Sequence, residues 1–150
     1  MKISEHFESE EFLSKETHAA IVAKGLQPQW FIDIDLVGFC EWLREKCGTS
    51  VIINNWKWQG QYNFSGLRGP KDMGAELSQH KFMNAIDVKV KGFTPAQLRD
   101  IIFDNFDYLN EQFGITTIEK IKDTPTWLHV DRRWTGLNHL LEVNGSKTSN

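Results

Sequence analysis

Residues 85–91, Ala-Ile-Asp-Val-Lys-Val-Lys, place Ile86, Val88 and Val90 at every second position. A period of two is typical of a β-strand that buries one face. We therefore expect these three β-branched side chains to face the core. Asp87 falls between them, so it should point to the opposite side of the sheet.

The segment before this strand predicts a helix, a short strand and a long loop. Apolar residues recur at helical spacing from Asp33 to Cys47, and Gly48 follows where a helix would end. Residues 51–53 are β-branched and predict a strand. Residues 54–79 are rich in Asn, Gly, Gln and Ser and predict a loop, and loops of this length are usually functional.

The segment after the strand predicts a helix and a hairpin. Thr94 followed by Pro95 and Gln97 is a helix-start pattern, and the apolar stripe after it extends to about Gly114. Residues 115–122 and 126–131 predict two strands joined by a tight turn at 123–125. A polar stretch before Phe12 predicts a short N-terminal helix.

These elements predict one α+β domain over residues 1–150, in which helices pack on one side of a small, mostly antiparallel sheet. The polar tail, about residues 144–150, is expected to fray. A chain of 150 residues can bury about 68–70% of its unfolded surface, so it needs no disulfide or metal to fold.

Composition excludes several classes of function. Lys+Arg 17 against Asp+Glu 20 gives a formal charge of -3 without a basic block, so we expect no nucleic-acid binding. No apolar run approaches the roughly 20 residues that cross a bilayer, and the acidic start is unlike a signal peptide. We therefore expect a protein made in the cytoplasm, without membrane insertion. Cys40 and Cys47 would lie about 10 Å apart along a helix, too far for a disulfide.

Two cysteines cannot form a four-cysteine zinc cluster, so a metal site would need histidine and carboxylate ligands. Two of the five histidines stand in suggestive surroundings. Ser78-Gln79-His80 is followed by Asp87 seven residues after the histidine, and His129 lies in Trp127-Leu128-His129-Val130-Asp131.

This pattern resembles the zinc D-alanyl-D-alanine carboxypeptidase superfamily, which includes phage peptidoglycan endolysins, D,D-dipeptidases of vancomycin resistance and the hedgehog signalling domain. The resemblance implies a hedgehog-like fold, a Zn2+ cofactor and His80, Asp87 and His129 as the metal ligands. Three protein ligands leave a fourth position open, as in catalytic zinc sites. Without a metal, His80 would be a loop residue, Asp87 a solvent-facing strand residue and His129 a packing residue.

The resemblance also suggests substrate-binding residues. Ser65-Gly66-Leu67-Arg68 is similar to a Ser-Gly-Tyr-Arg loop of the family, in which an arginine lies near the substrate. Arg68 could clamp a carboxylate or be an ordinary surface arginine. Ser78 and Gln79 could bind the peptide or only cap the turn.

The chain departs from the family pattern at the general base. Many members have Glu or Asp three residues before the second zinc histidine, where this chain has Thr126, and a hydroxyl is not an ordinary base at neutral pH. If residues 123–125 form the turn, Glu119 pairs with His129 and shares its face of the sheet. A shift by two residues pairs Glu119 with Asp131 instead, and a shift by one sends it to the other face. We favour Glu119 as the base and Asp131 as a support for an imidazole, with the reverse assignment open.

Two further departures concern the loops. Met83 stands where the family commonly has glycine, so a positive φ is not freely available there and we expect the His80–Asp87 loop to follow a somewhat different path. The long loop carries Trp56, Trp58, Tyr62 and Phe64, which could stack on sugars but are more simply expected to bury the loop.

The leading hypothesis is a monomeric zinc peptidase that cleaves an amide in the peptide stem of bacterial peptidoglycan. Such an enzyme would wait in the host cytoplasm and act at the wall after release, or be carried in a virion. The alternative is a non-catalytic zinc-containing structural or wall-binding module, which Thr126 favours. A third, weaker hypothesis is a D,D-dipeptidase that acts on small soluble peptides.

Overall fold

A computed structural model describes residues 1–145. These residues form five helices, five strands and three short 3-10 turns. The helices are α1 (Ser9–Phe12), α2 (Lys15–Ala23), α3 (Ile34–Cys47), α4 (Pro95–Asp104) and α5 (Phe106–Phe113). The strands are β1 (Val51–Ile52), β2 (Ala85–Val90), β3 (Thr117–Glu119), β4 (Leu128–Asp131) and β5 (Leu141–Val143).

The five strands form one mixed sheet in the order β1-β2-β4-β3-β5. Only the β3–β5 pair is parallel, so the predicted α+β class with a mostly antiparallel sheet is confirmed. β5 was not predicted. It pairs with β3 from Thr117 opposite Leu141 to Glu119 opposite Val143.

One face of the sheet carries the hydrophobic core. Ile86, Val88 and Val90 are buried there, as their alternation predicted, together with Ile118 and Val130. The helices α3, α4 and α5 supply the other half of this core, with α3 against β2 and α4 against β4. The polar residues of β2, β3 and β4 are thereby left on the opposite face, where the candidate site lies.

Helix α3 begins and ends where the sequence predicted. The Asp33 side chain accepts the backbone N–H groups of Asp35 and Leu36, which caps the first turn. At the other end Gly48 adopts a left-handed conformation with φ 65°. Cys40 and Cys47 are free thiols, as expected.

The single helix predicted from Thr94 to Gly114 is wrong, because it is divided at Asn105. The start is as predicted, with a capping box between Thr94 and Gln97. Asn105 leaves the helical region at φ -118° and ψ 16°, and its side-chain amide donates to the Ile101 carbonyl. A short amide side chain that bonds to nearby backbone competes with helix continuation, which accounts for the break.

The predicted tight turn at 123–125 is also wrong, although the predicted register is correct. β3 and β4 are shorter than expected, and residues 120–127 form the connection. Beyond β3, the Lys120 N–H donates to the Val143 carbonyl, so the chain follows β5 rather than β4. The β3–β4 ladder nevertheless pairs Thr117 with Asp131 and Ile118 with Val130, which places Glu119 opposite His129.

The long loop lies beside the sheet and is tied to the N-terminal segment. The Asp87 N–H donates to the Ser65 carbonyl, and Leu67 pairs with Leu13 in an isolated parallel bridge. Of the polar tail, Gly145 donates its N–H to Asp123 at 3.0 Å, and residues 146–150 lie outside the described residues.

Candidate metal centre

Two of the three predicted metal ligands are direct neighbours across the sheet, and the third comes from the loop. Asp87 on β2 pairs with His129 on β4, and both side chains lie on the face away from the core. His80 belongs to a 3-10 turn, Gln79–Phe82, just before β2. One ligand atom of each residue lies within 4.8 Å of the others, so this group could hold a metal ion.

The hydrogen bonds of the two histidines orient their rings. His80 Nδ1 lies 2.9 Å from the Gly66 carbonyl oxygen, which can only accept, so Nδ1 carries the proton. His129 Nε2 lies 3.4 Å from Asp131 Oδ2 and His129 Nδ1 lies 2.7 Å from Asp87 Oδ1, so each ring nitrogen of His129 faces a carboxylate. His80 Nε2 therefore keeps a free lone pair, and a metal ion would take the place of the proton on His129 Nδ1.

The three candidate ligand atoms face one another at short range. His80 Nε2 lies 3.3 Å from His129 Nδ1 and 3.3 Å from Asp87 Oδ1, while His129 Nδ1 lies 2.7 Å from the same carboxylate oxygen. A buried carboxylate beside two imidazoles needs a positive charge next to it, which either a proton on His129 or a metal ion can supply. Ligands 2.0–2.1 Å from a tetrahedral metal are about 3.3–3.4 Å apart. The donor set therefore fits such an ion after a small widening between His129 and Asp87.

The electrostatics of the centre show how strongly it attracts positive charge. Burial alone would lower the pKa of His129, but Asp131 and Asp87 on its two ring nitrogens raise it to about 10. Burial alone would raise the pKa of Asp87, but His80 and His129 hold it well below its usual range. Burial lowers the pKa of His80. A metal ion would supply the charge that a proton on His129 otherwise supplies.

Gly66 permits the close contact that positions His80. A Cβ atom at this position would lie 2.2 Å from the Phe12 backbone oxygen, so only glycine fits. The Leu67 N–H donates to the same Phe12 oxygen, and the Arg68 N–H donates to the His80 carbonyl. Residues 66–68 are thus held by Phe12 on one side and by His80 on the other.

Arg68 contacts one of the predicted metal ligands directly. Its Nη2 lies 3.2 Å from Asp87 Oδ2, while Asp87 Oδ1 faces the two histidines. Its Nε donates to the Phe64 carbonyl. The guanidinium is half-buried, and burial lowers its pKa. Arg68 is therefore no ordinary surface arginine, and it orients the Asp87 carboxylate.

Ser78 and Gln79 line a cavity of about 510 Å³ beside the three predicted ligands, but only Gln79 has a defined role in the turn. The Gln79 Oε1 accepts the Asn84 amide at 2.6 Å, which closes the loop between His80 and Asp87. Ser78 occupies the N-cap position of the 3-10 turn without a side-chain capping bond.

Met83 adopts a left-handed conformation, with φ 52° and ψ 36°. This turn therefore uses a positive φ although it has no glycine at this position. The Met83 side chain is only 7% exposed and belongs to the hydrophobic core cluster. Core packing holds the residue in a conformation that glycine would adopt without strain.

The two candidate carboxylates differ in their surroundings. Asp131 is 0% exposed and accepts from Arg133 at both oxygens, at 2.8 and 2.5 Å. Burial opposes ionisation of Asp131, but His129 and Arg133 hold its pKa well below the usual range. Glu119 is half-buried, lines the cavity and has Oε1 3.9 Å from His129 Nε2. Burial raises the pKa of Glu119.

A cavity of about 510 Å³ opens onto the metal centre, lined by all three ligands, Glu119, Arg68 and Arg133 among others. Thr126 does not line this cavity; it is exposed in the connection between β3 and β4.

Of the loop aromatics, Trp56, Tyr62 and Phe64 are half-buried and Trp58 is exposed, so the expected burial holds for three of the four.

Two residues of the site were missed from the sequence. Arg133 follows Asp131 at a spacing of two, so strand alternation could have placed it beside that carboxylate. Gly66 has no such signal, because its role depends on the Phe12 carbonyl 54 residues earlier in the chain.

No helix among residues 1–145 combines the length and the apolar character that a membrane span needs. Comparison of the chain with protein-family models, with curated proteins and with solved structures finds no match.

Proposed function

We propose that this protein is a zinc-dependent peptidase that cleaves an amide bond in the peptide stem of bacterial peptidoglycan. The observation that carries the proposal is the group of three candidate ligand atoms that face one another on His80, Asp87 and His129, at the wall of an open cavity. The sequence resemblance to zinc peptidases of the cell wall supports the choice of zinc and of this substrate.

Each residue of the centre then has a defined task. When bound, zinc would lower the pKa of a coordinated water and polarise the scissile carbonyl. Arg68 keeps Asp87 oriented toward the two histidines. Asp131, held by Arg133, accepts the proton of His129 Nε2 and so leaves Nδ1 as the ring atom that would hold the metal.

Glu119 is the better general base of the two carboxylates. It lines the cavity, and its raised pKa suits a group that accepts a proton near neutral pH. The Glu119 carboxylate would take a proton from the attacking water and pass it to the leaving nitrogen. Asp131 is buried and both of its carboxylate oxygens accept hydrogen bonds from Arg133, so neither oxygen is free to accept a proton from a water.

One observation favours the non-catalytic alternative. Glu119 approaches His129 at Nε2, whereas the ring atom that faces His80 and Asp87 is Nδ1. If Glu119 stays on that side, it supports the imidazole and the chain lacks a base, since Thr126 is exposed in the loop. The protein would then bind wall peptides without cleaving them, as a structural or wall-binding module of a virion.

The test is the release of new amino groups from purified sacculi by the zinc-loaded protein, with mass identification of the fragments. We expect release that a chelator abolishes, no release by His80→Ala, and retained zinc without turnover in Glu119→Gln. His139→Ala changes an exposed histidine outside the site and serves as the matched control. Sedimentation with sacculi but no release from the zinc-loaded protein would establish the binding module instead, and cleavage of soluble stem peptides alone would indicate a dipeptidase.

A further inference from the structure

A second cavity adjoins the metal centre. It also measures about 510 Å³ and is lined by Tyr62, Lys89 and Thr126 among others. Arg68, Asp87 and Trp127 line both cavities. The two cavities therefore meet at Asp87, and an extended ligand that crosses the metal centre can occupy both.

Lys89 is the cationic residue of the second cavity that has no carboxylate partner. Strand alternation puts it on the same face as Asp87, about 7 Å further along β2. Its ammonium lies 3.9 Å from the centre of the Tyr62 ring and 5.6 Å from that of Trp127. Within residues 1–145, no carboxylate lies within 4.0 Å of Lys89 Nζ, whereas Arg68 is paired with Asp87.

The surroundings of this ammonium suit an anionic ligand. Two aromatic rings fix its position by cation–π contact but accept none of its three N–H groups in the way that a carboxylate does. The side chain is half-buried, so its charge is only partly solvated. A carboxylate that enters the cavity would therefore replace lost hydration with a charge-assisted hydrogen bond.

We propose that Lys89, held between Tyr62 and Trp127, binds a carboxylate of the peptide substrate within about two residues of the bond that is cleaved. The distance follows from the strand, because 7 Å along β2 matches two residues of an extended peptide lying beside it. The inference rests on the proposed function for the identity of the ligand. It makes Lys89 a specificity-determining residue that favours stems with a free carboxyl group over stems in which that group is amidated.

The test compares three synthetic peptides: L-Ala-γ-D-Glu-L-Lys-D-Ala-D-Ala with both carboxyl groups free, and two forms with either the D-Glu or the C-terminal carboxyl group converted to a primary amide. Binding is measured by calorimetry on the zinc-loaded full chain carrying Glu119→Gln, so that turnover does not interfere. Lys89→Met removes the charge and keeps the length of the side chain, and Lys89→Arg keeps the charge. Lys91→Met is the matched control, because Lys91 is exposed just beyond the same strand.

We expect one of the two amide forms to bind about 10-fold more weakly than the free peptide. Lys89→Met should weaken binding of the free peptide by a similar factor and remove the difference between the forms, while Lys89→Arg and Lys91→Met retain it. Lys89→Gln provides a second neutral variant if Lys89→Met does not fold. Equal binding of the three peptides, an unchanged preference in Lys89→Met, or no binding at all would overturn the proposal.

The result is separable from the hydrolysis test. A Lys89-dependent preference for the free peptide, without release of amines from sacculi, would support the carboxylate site and refute the proposed peptidase activity. Hydrolysis without a Lys89-dependent preference would refute this site alone. A preference for glycan fragments that depends on Tyr62 and Trp127 but not on Lys89 would show that the two rings stack on sugars, and would also refute it.

Discussion

Replacing Met83 by glycine tests whether core packing or backbone conformation dominates at the turn before β2. Met83 has φ 52°, and a left-handed conformation costs a residue with a side chain about 1–2 kcal/mol, which glycine would recover. The same side chain is 7% exposed in the core cluster, and truncating such a methionine costs about 2–5 kcal/mol. We therefore expect Met83→Gly to lower the free energy of unfolding by about 1–3 kcal/mol.

Gln59 supplies the matched control, since it has φ 63° but an exposed side chain. Gln59→Gly removes the cost of the left-handed conformation without loss of a buried side chain. The free energy of unfolding should therefore stay the same or rise by up to about 1 kcal/mol. Both variants are measured by urea unfolding followed by circular dichroism, with unchanged slopes as the criterion for comparison. A more stable Met83→Gly protein, or equal effects at the two positions, would refute the argument that packing holds Met83 in place.

Three other predictions concern the metal centre. Zinc at 100 times its dissociation constant should stabilise the protein by about 2.7 kcal/mol and raise Tm by about 5–10 °C in calorimetry. His80→Ala should abolish this shift, and a shift of the same size in that variant would place the zinc elsewhere. Asp131→Asn should weaken zinc binding about 10–100-fold in competition with a chromophoric chelator, whereas an unchanged affinity would show that His129 needs no support. Gly66→Ala puts a Cβ atom 2.2 Å from the Phe12 oxygen and should destabilise the fold by about 2 kcal/mol or more in urea, so a loss below about 1 kcal/mol would mean that the loop moves freely.

Much of the site could be predicted because strand alternation and register follow from the spacing of residues within short segments of sequence. The period of two in β2 placed Asp87 away from the core, and the pairing of the β3–β4 ladder placed Glu119 opposite His129. The predicted turn between β3 and β4 was wrong, but the predicted register was right. The face that Glu119 shares with His129 depends on how the two strands pair and not on the length of their connection.

The remaining features depend on contacts between distant parts of the chain. β5 is a three-residue strand that pairs with β3, beginning with Leu141 opposite Thr117. Three residues are too few to show the alternation of apolar and polar residues by which a strand is recognised in the sequence. Helix α2 buries only Ile21 among its nine residues, so it lacks the apolar stripe that would have predicted it. The orientation of His80 depends on Gly66 and Phe12, which spacing within the motif does not reveal.

The three proposed metal ligands come from two separate parts of the fold. Asp87 and His129 belong to central strands of the sheet, whereas His80 belongs to a loop that is joined to the N-terminal segment through Phe12 and Leu13. An ion bound to all three residues links the opening of that loop to the breaking of a coordination bond. In native-state hydrogen exchange the amides of Leu67 and Arg68 would then report the free metal concentration, while the amides of β2 and β4 would report only global unfolding.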